Sequence, residues 1–443
     1  SSTPACSRCC ARPTKEAGLK PERTAGMLLV GALLASAAAQ GVGRFVLTPL
    51  LPDMRAAAGL DAAQAGIVAG ANFAGYLAAS IWLALRAREG RIGAVPLGFA
   101  LVLAGAFAMA LAPSYPLWIA ARAAAGYGGA LLFLGSLDAY ARAARAPEDL
   151  RPLAGVGIGI ALSCAAVLPW LSDWRSGWLV AGALGVLAAP FVLRLPRGAA
   201  AGHVGDEPAP ALTGPLARLS ISYAAYGFAF GAAATFFVNA IASGDRRAAA
   251  LVWVVVGVFA APSVWLWSWV RRRVRAVGAL FAANVLHAAS ILLVALDPHP
   301  FTATIAGMVF GATFLGVPAL SLAQARILAP RSARRITAWV TVLFGLGQMA
   351  GPPAIGWLGE RLGAAELLDV FGRLFLHDVG HVVARDDALH PAAGIHHRQR
   401  RIAGLVETGA HLFLIHRLGN GDKIRFHDVA DERVGGRDQK LVE

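Results

Sequence analysis

The sequence predicts an all-α, polytopic membrane protein. Three observations predict it. First, the 443 residues are 57% hydrophobic and only 15% charged. A soluble globular chain has about 25% charged residues, so water does not cover most of this surface. Second, apolar runs long enough to cross a bilayer as helices, about 20 residues each, recur between residues 25 and 360. Third, arginines crowd every second gap between those runs. Gly, Ala and Leu dominate the runs, the small-residue habit of membrane helices whose backbones approach closely. A net charge of +14 would raise nucleic acid as a partner for a soluble chain. Here the cations cluster between apolar runs, which fits membrane orientation and not nucleic acid.

The first run, 25–50, follows Lys15, Lys20 and Arg23, and its "ASAAAQ" (35–40) resembles a signal-peptidase site. Its length and the many runs after it favour a span over a cleaved leader. The next runs are 62–85, 93–112, 115–140, 151–171 and 176–194, then 214–242, 248–270, 276–296, 301–325 and 335–360. Pro-bearing links such as "APSYP" (112–116) and "DPHP" (297–300) punctuate them. With a cytoplasmic N-terminus, the inner loops hold Arg86, Arg88, Arg91, Arg142, Arg145, Arg151, Arg194, Arg197, Arg271, Arg272, Arg273, Arg275, Arg326, Arg331, Arg334 and Arg335. The outer loops hold only Arg55, Arg175, Arg246 and Arg247. One missed or invented span would scramble this positive-inside asymmetry. The expected topology is therefore eleven spans with a cytoplasmic N-terminus.

The organisation follows from the interruptions. Residues 1–24 form an N-terminal cytoplasmic tail, 25–194 a six-helix bundle, 195–213 a central cytoplasmic loop and 214–363 a bundle of five. Parallel repeats of six spans are a known transporter plan. Weak internal similarity supports it: "GALLFLG" (129–135) has Arg145 twelve residues after Phe133, and "GATFLG" (311–316) has Arg326 twelve residues after Phe314. Residues 364–443 hold eight of the eleven histidines and no apolar run of span length. A His-rich metal-binding extension, a small periplasmic domain, and a frameshift or fusion in place of a twelfth helix all fit; the last is preferred. Cys6, Cys9, Cys10 and Cys164 make no disulfide framework, and "CSRCC" lacks a fourth ligand or a nearby His, so no metal site is expected there.

Arg44, inside "GVGRFVLTPLLPDM" (41–54), is the first candidate functional residue. A charge inside a bilayer is expensive and faces a cavity or a partner. One reading makes it an anion anchor that grips a carboxylate bidentately. The other makes it a snorkelling arginine, or the partner of Asp53. Gln40, Asn72, Tyr76, Asn239, Asn284, His287 and Gln348 are polar groups within apolar spans, and such groups seek partners in hydrocarbon. Small residues flank Asn72 and Gln348, which makes them the better site candidates of this set. No acid sits at the centre of a span; Asp138 is the nearest. The absence weakens a proton-symport reading and leaves His287, Asp138 or uniport open. The sequence has no HExxH, GxSxG or Walker loop and no paired intramembrane acids, which argues against an enzyme and leaves no cofactor to expect.

Several stretches carry a family resemblance. They are "GVGRFVLTPLLPDM" (41–54), "AGIVAGANFAGYLAA" (65–79), "RAAAGYGGA" (122–130), "DWRSGW" (173–178), "YGFAFGAAATFF" (226–237), "FGATFLGVPALSLAQAR" (310–326) and "FGLGQMAGPPAIG" (344–356). Together, over about residues 25–363, they resemble a bacterial permease branch of the Major Facilitator Superfamily. The resemblance implies two six-helix bundles, alternating access, a small-molecule substrate and a monomer. It makes Arg122, which opens the fourth helix, a candidate for proton coupling or cavity charge. Two departures stand out. The usual Gly-x-x-x-Asp-Arg-x-Gly-Arg loop reads "SIWLALRAREGR" (80–91) without its Asp, and the antiporter Gly-Pro signature is missing from "GVGIGIALS" (155–163). The expected function is a secondary transporter of a small organic solute, anionic on account of Arg44 and Arg122. The competing expectation is a truncated membrane protein that does not transport.

Overall fold

The computed structural model describes residues 21–85, 94–112, 114–145, 149–196, 208, 210–241 and 245–386. The N-terminal cysteines, most of the loop at 86–93 and the histidines from His390 onward lie outside the described residues. The chain divides into two compact units, Ser1–Ala364 and Ala365–Glu443. Of the second unit only residues 365–386 are described, as helix. Among the described residues there is no strand.

Among the described residues, nine helical segments are long and apolar enough to cross a membrane, and ten if one bent pair counts as a span. They match the first ten expected runs. The eleventh run, 335–360, lies in the helix Ala333–Asp386 but is not among them. Gln348, Pro352, Pro353 and several glycines dilute its apolar character below that of its neighbours.

Among the described residues, three of the breaks within spans have a proline behind them. The first span, Ala25–Ala58, consists of α1 (Pro21–Ala37), a π-helical stretch (Ala38–Phe45) and α2 (Leu47–Ala58). The π register shows in the bond from the Val46 amide to the Gly41 carbonyl, 2.9 Å. Continued at that spacing, the ladder would offer the Arg44 carbonyl the nitrogen of Pro49, which has no hydrogen. The helices α3 (Ala62–Leu85), α4 (Ala94–Leu111), α5 (Tyr115–Ala143), α6 (Ala154–Val167), α7 (Trp174–Leu187), α8 (Ala189–Val192) and α9 (Gly214–Ile241) follow. The second broken span is α10 (Arg246–Ala260) with α11 (Ser263–Arg273), bent by 51°. Pro262 sits at the bend. After α12 (Ala276–Leu296), the third pairs α13 (Pro300–Phe314) with α14 (Gly316–Leu328). The ring of Pro318 opposes the carbonyl four residues back, at Phe314. Side chains recover the freed backbone groups, as a membrane interior demands. The Tyr226 hydroxyl donates to the Phe314 carbonyl (3.3 Å), and the Leu315 amide donates to Ser263 Oγ (3.3 Å). Ser263 in turn donates to the Ala260 carbonyl (2.8 Å).

Packing within the first unit gathers into two large apolar clusters. One draws mainly on α1–α7 and includes Leu50, Phe99, Val102, Trp118 and Trp178. The other draws mainly on the helices from α9 onward and includes Phe230, Phe237, Trp253, Phe310 and Phe314, with Phe45 and Ile160 joining it. Close backbone crossings set the spacing. A Cβ on Gly126 of α5 would collide with the Asn72 carbonyl of α3, and one on Gly159 of α6 with the Ala37 backbone. The expected glycine crossings are thus present, and the first of them fixes the register of Asn72.

At the end of α5, the Tyr140 hydroxyl (2.5 Å) and the Arg151 guanidinium (2.7 Å from Nη2) both donate to Asp149. Those bonds, the Arg151 fork first, hold the Asp149 carboxyl well below the usual carboxylate range. The staple therefore stabilises the turn above about pH 4 and weakens as acid protonates it.

Candidate functional site

The π turn in the first span makes the site. Three side-chain hydrogen bonds from α3 and α5 converge on its backbone, and a fourth joins α3 to α5. Arg122 Nη1 donates to the Gly43 carbonyl (3.0 Å) and Nη2 to the Arg44 carbonyl (2.9 Å). Asn72 Nδ2 donates to the Gly43 carbonyl (2.9 Å) and to the Arg122 carbonyl (3.1 Å). Arg122 thus supplies to the Arg44 carbonyl the hydrogen that Pro49 lacks. Arg122 is among the largest fully buried side chains, so its charge serves the backbone and has no route to water.

Held this way, the Arg44 side chain leaves the turn toward α3. Its Nε donates to Asn72 Oδ1 (3.3 Å). Its guanidinium carbon stands 4.2 Å from the Tyr76 ring centroid, 4.9 Å from that of Phe73 and 5.8 Å from that of Phe45. Gln40, in the same π-helical stretch, is buried beside them. Arg44 is 9% exposed, and its Nη2 is buried with no partner. Among the described residues no carboxylate pairs with Arg44 or Arg122. Taking a cation out of water costs several kcal/mol. Ring faces return about 0.5–2 kcal/mol each, and none of them neutralises the charge. The site therefore holds unspent positive potential.

Opposite this group stands an aromatic wall from α9, α12, α13 and the last helix. Tyr223 stacks on Phe344 (4.7 Å, 8°), and Tyr226 stacks on Phe344 at 5.8 Å. Phe230 meets Phe45 edge-on at 6.3 Å, which connects the wall to the π turn. His287 is enclosed by Phe310 (4.5 Å) and Tyr226 (4.9 Å). Its Nδ1 lies 2.8 Å from Thr313 Oγ1. The Thr313 hydroxyl is within 3.0 Å of both the Val309 and Phe310 carbonyls. A hydroxyl has one hydrogen, and the helix carbonyls take it, so Nδ1–H donates to Thr313. His287 Nε2 is left as a buried lone pair without a partner.

The sequence candidates fall into two sets. Arg44, Asn72, Tyr76 and Arg122 come together, with Gln40 beside them. His287 lies in the aromatic wall. Gln348 is buried, with its backbone against Gly231 of α9. Asn239 and Asp138 lie elsewhere. Asp138 is ion-paired with Arg142 one turn on, at the end of α5. Asn239 accepts a hydrogen bond from Arg55 Nη1 (3.1 Å). Asn284 donates to the Leu280 carbonyl of its own helix (2.9 Å). Asp53 pairs with Arg246, so the expected Arg44–Asp53 alternative is corrected: α10 supplies the Asp53 partner. Sequence reasoning passed over Tyr223, Tyr226 and Phe230, whose spacing of three and four residues puts them on one helix face.

Polar contacts between distant helices gather at one end of the first unit. Arg246 bonds Asp53, Arg55 bonds Asn239, and the Ala62 amide bonds Glu360. Thr48 Oγ1 donates to the Ala234 carbonyl (2.6 Å) just beneath them. These contacts clasp α2 and α3 to α9, α10 and the last helix. An Asp53→Arg change sets two cations face to face there. In a cysteine-free chain carrying Thr48→Cys, it is expected to speed labelling by a polar maleimide about fivefold, for about 1 kcal/mol of lost pairing. Unchanged labelling would mean that the clasp does not hold that end shut.

No curated protein sequence matches the chain. Solved structures match its fold. The nucleoside transporter NupG superposes with a TM-score of 0.67 at 14% identity, over 80% of this chain and 99% of that one. A bacterial homolog of the human lysosomal transporter Spinster, inward-facing and occupied, gives 0.60 at 16% identity over 91% and 95%. The unoccupied form of that homolog gives 0.59 at 17% over 90% and 96%. At these identities the likeness shows the fold alone. Residues 36–379 match the family described as uncharacterised MFS-type transporter YbfB. That match takes in the π turn, the buried arginine pair and the aromatic wall: the chain is a membrane transporter of the Major Facilitator Superfamily and belongs to this YbfB-type family.

Proposed function

We propose that the protein is a secondary carrier, not an enzyme, that moves a small organic anion by alternating access. One observation carries the anionic reading: Arg44 is buried, its Nη2 has no partner, and among the described residues no acid neutralises it. A solute carboxylate would supply that charge through a bidentate bond. The site would lie where the six-helix half, 25–194, and the five-helix half, 214–363, rock about a midplane. The clasp at Asp53, Arg55 and Glu360 would be the closed outer gate of a monomer with a cytoplasmic N-terminus in a bacterial inner membrane. For a coupled proton we favour His287 over Asp138, because Nε2 has no partner whereas Asp138 is engaged by Arg142.

The test is thermal stability of the purified full chain against a panel of small carboxylates and their carboxamides, followed by uptake into proteoliposomes. A carboxylate is expected to raise the melting temperature and show saturable uptake, while its amide does neither. Equal response to acid and amide, or to no acid at all, would overturn the anionic reading. Proper insertion with no transport of any solute would favour the non-transporting alternative.

A further inference from the structure

We propose that the oblique half-helix α11 and the turn after it form a binding surface for an anionic phospholipid headgroup. The bend of 51° at Pro262 turns Ser263–Arg273 away from the direction of α10. Its buried face, Ser263, Val264 and Trp267, packs inward, and Trp267 Nε1 donates to the Ala312 carbonyl (2.8 Å). Its outer face is amphiphilic along its length. Trp265, Leu266 and Trp269 are exposed in the first two turns. Arg271, Arg272, Arg273 and, across the turn, Arg275 are exposed at the end. Arg273 stacks on Trp269, with its guanidinium carbon 4.0 Å from the ring centroid.

What separates this cluster from the basic turns at Arg142 and Arg151 is the absence of a paired acid. Arg142 pairs with Asp138, and Arg151 pairs with Asp149. Among the described residues none of the side chains of Arg271, Arg272, Arg273 and Arg275 has an ion-pair or hydrogen-bond partner in an acid; ion pairs are made instead by Arg142, Arg151 and Arg246. Four unpaired cations within five positions, directly below an exposed tryptophan pair, match a ligand whose negative head sits beneath an apolar body. Tryptophan seats at the interface of a bilayer, and basic clusters there attract anionic lipid. Charge and polarity together select a phospholipid over a free ion, because a free ion would leave Trp265 and Leu266 without a role.

The full-length protein would be extracted from vesicles of mixed phosphatidylglycerol and phosphatidylcholine, and the retained lipid read by native mass spectrometry. Phosphatidylglycerol is expected to be enriched over its share in the vesicle. Changing all four arginines to glutamine should remove the enrichment, on the scale of about fivefold for each arginine lost. Changing all four to lysine should keep most of it, which separates lost charge from lost folding. Equal retention of the two lipids, or enrichment that survives the glutamine variant, would overturn the proposal. So would displacement of the lipid by inorganic phosphate, which would reassign the cluster to free anions. An oligomer that dissociates in the glutamine variant would reassign it to a protein partner.

Discussion

Replacing Arg44 with glutamine is expected to abolish carboxylate binding and transport while leaving the empty protein more stable than its parent. The two effects have one cause. The guanidinium is buried with a single neutral hydrogen-bond partner, Asn72, and three ring faces. In the empty carrier its desolvation is only partly offset, so a neutral side chain of similar length removes a cost. Glutamine can still reach Asn72. With a carboxylate bound the balance reverses, since losing one partner of a buried charge pair costs about 2–5 kcal/mol, or roughly 30-fold to several thousandfold in affinity. A lysine at this position keeps the charge but loses the fork and the flat face over Tyr76, so partial binding is expected. The measurement is the melting temperature of parent and variant with and without the carboxylate. A lower melting temperature for the empty glutamine variant would make Arg44 a structural residue. Unimpaired transport by that variant would remove it from the site.

This double effect explains why Arg44 was the most legible residue of the sequence and its surroundings the least. A lone charge among apolar residues shows in composition. So do the spans and the arginine asymmetry, because hydropathy is summed over some 20 positions and tolerates local errors. The partners of Arg44 depend on where the turn carbonyls point, and that is fixed by a π register with no sequence signature of its own. Pro49 was visible, and it marks a carbonyl four or five residues upstream that needs another donor; the identity of that donor, Arg122 from α5, is a long-range fact. Pro262 and Pro318 were visible in the same way, and each breaks a helix that hydropathy alone reads as one span. The last helix shows the opposite limit. Gln348, Pro352 and Pro353 lie in a segment packed against Gly66, Gly227 and Gly231, and that packing uses small and irregular residues at the expense of apolar character. The tail's preferred frameshift origin rests on sequence alone.

Arg122 is expected to behave in the opposite sense from Arg44, although both are buried arginines, one in the π turn and the other reaching it from α5. An Arg122→Gln change removes donors from the Gly43 and Arg44 carbonyls at once. Asn72 still serves Gly43, so the Arg44 carbonyl carries most of the loss. A buried polar group left without a partner costs about 1–3 kcal/mol, and the space left by the guanidinium adds to that. The empty protein should therefore melt lower. The π turn would then relax toward ordinary helix, which rotates Arg44 off Tyr76 and weakens carboxylate binding although Arg44 itself is intact. Arg122→Lys restores a cation without the two-pronged reach to both carbonyls, so it should rescue stability only in part. The decisive comparison sets the two glutamine variants side by side. If Arg122 positions the turn, its variant loses stability and affinity together, while the Arg44 variant gains stability as it loses affinity. If Arg122 instead contacts the solute, its variant would lose affinity at unchanged or raised stability, and the two arginines would have to be read as a pair of anchors.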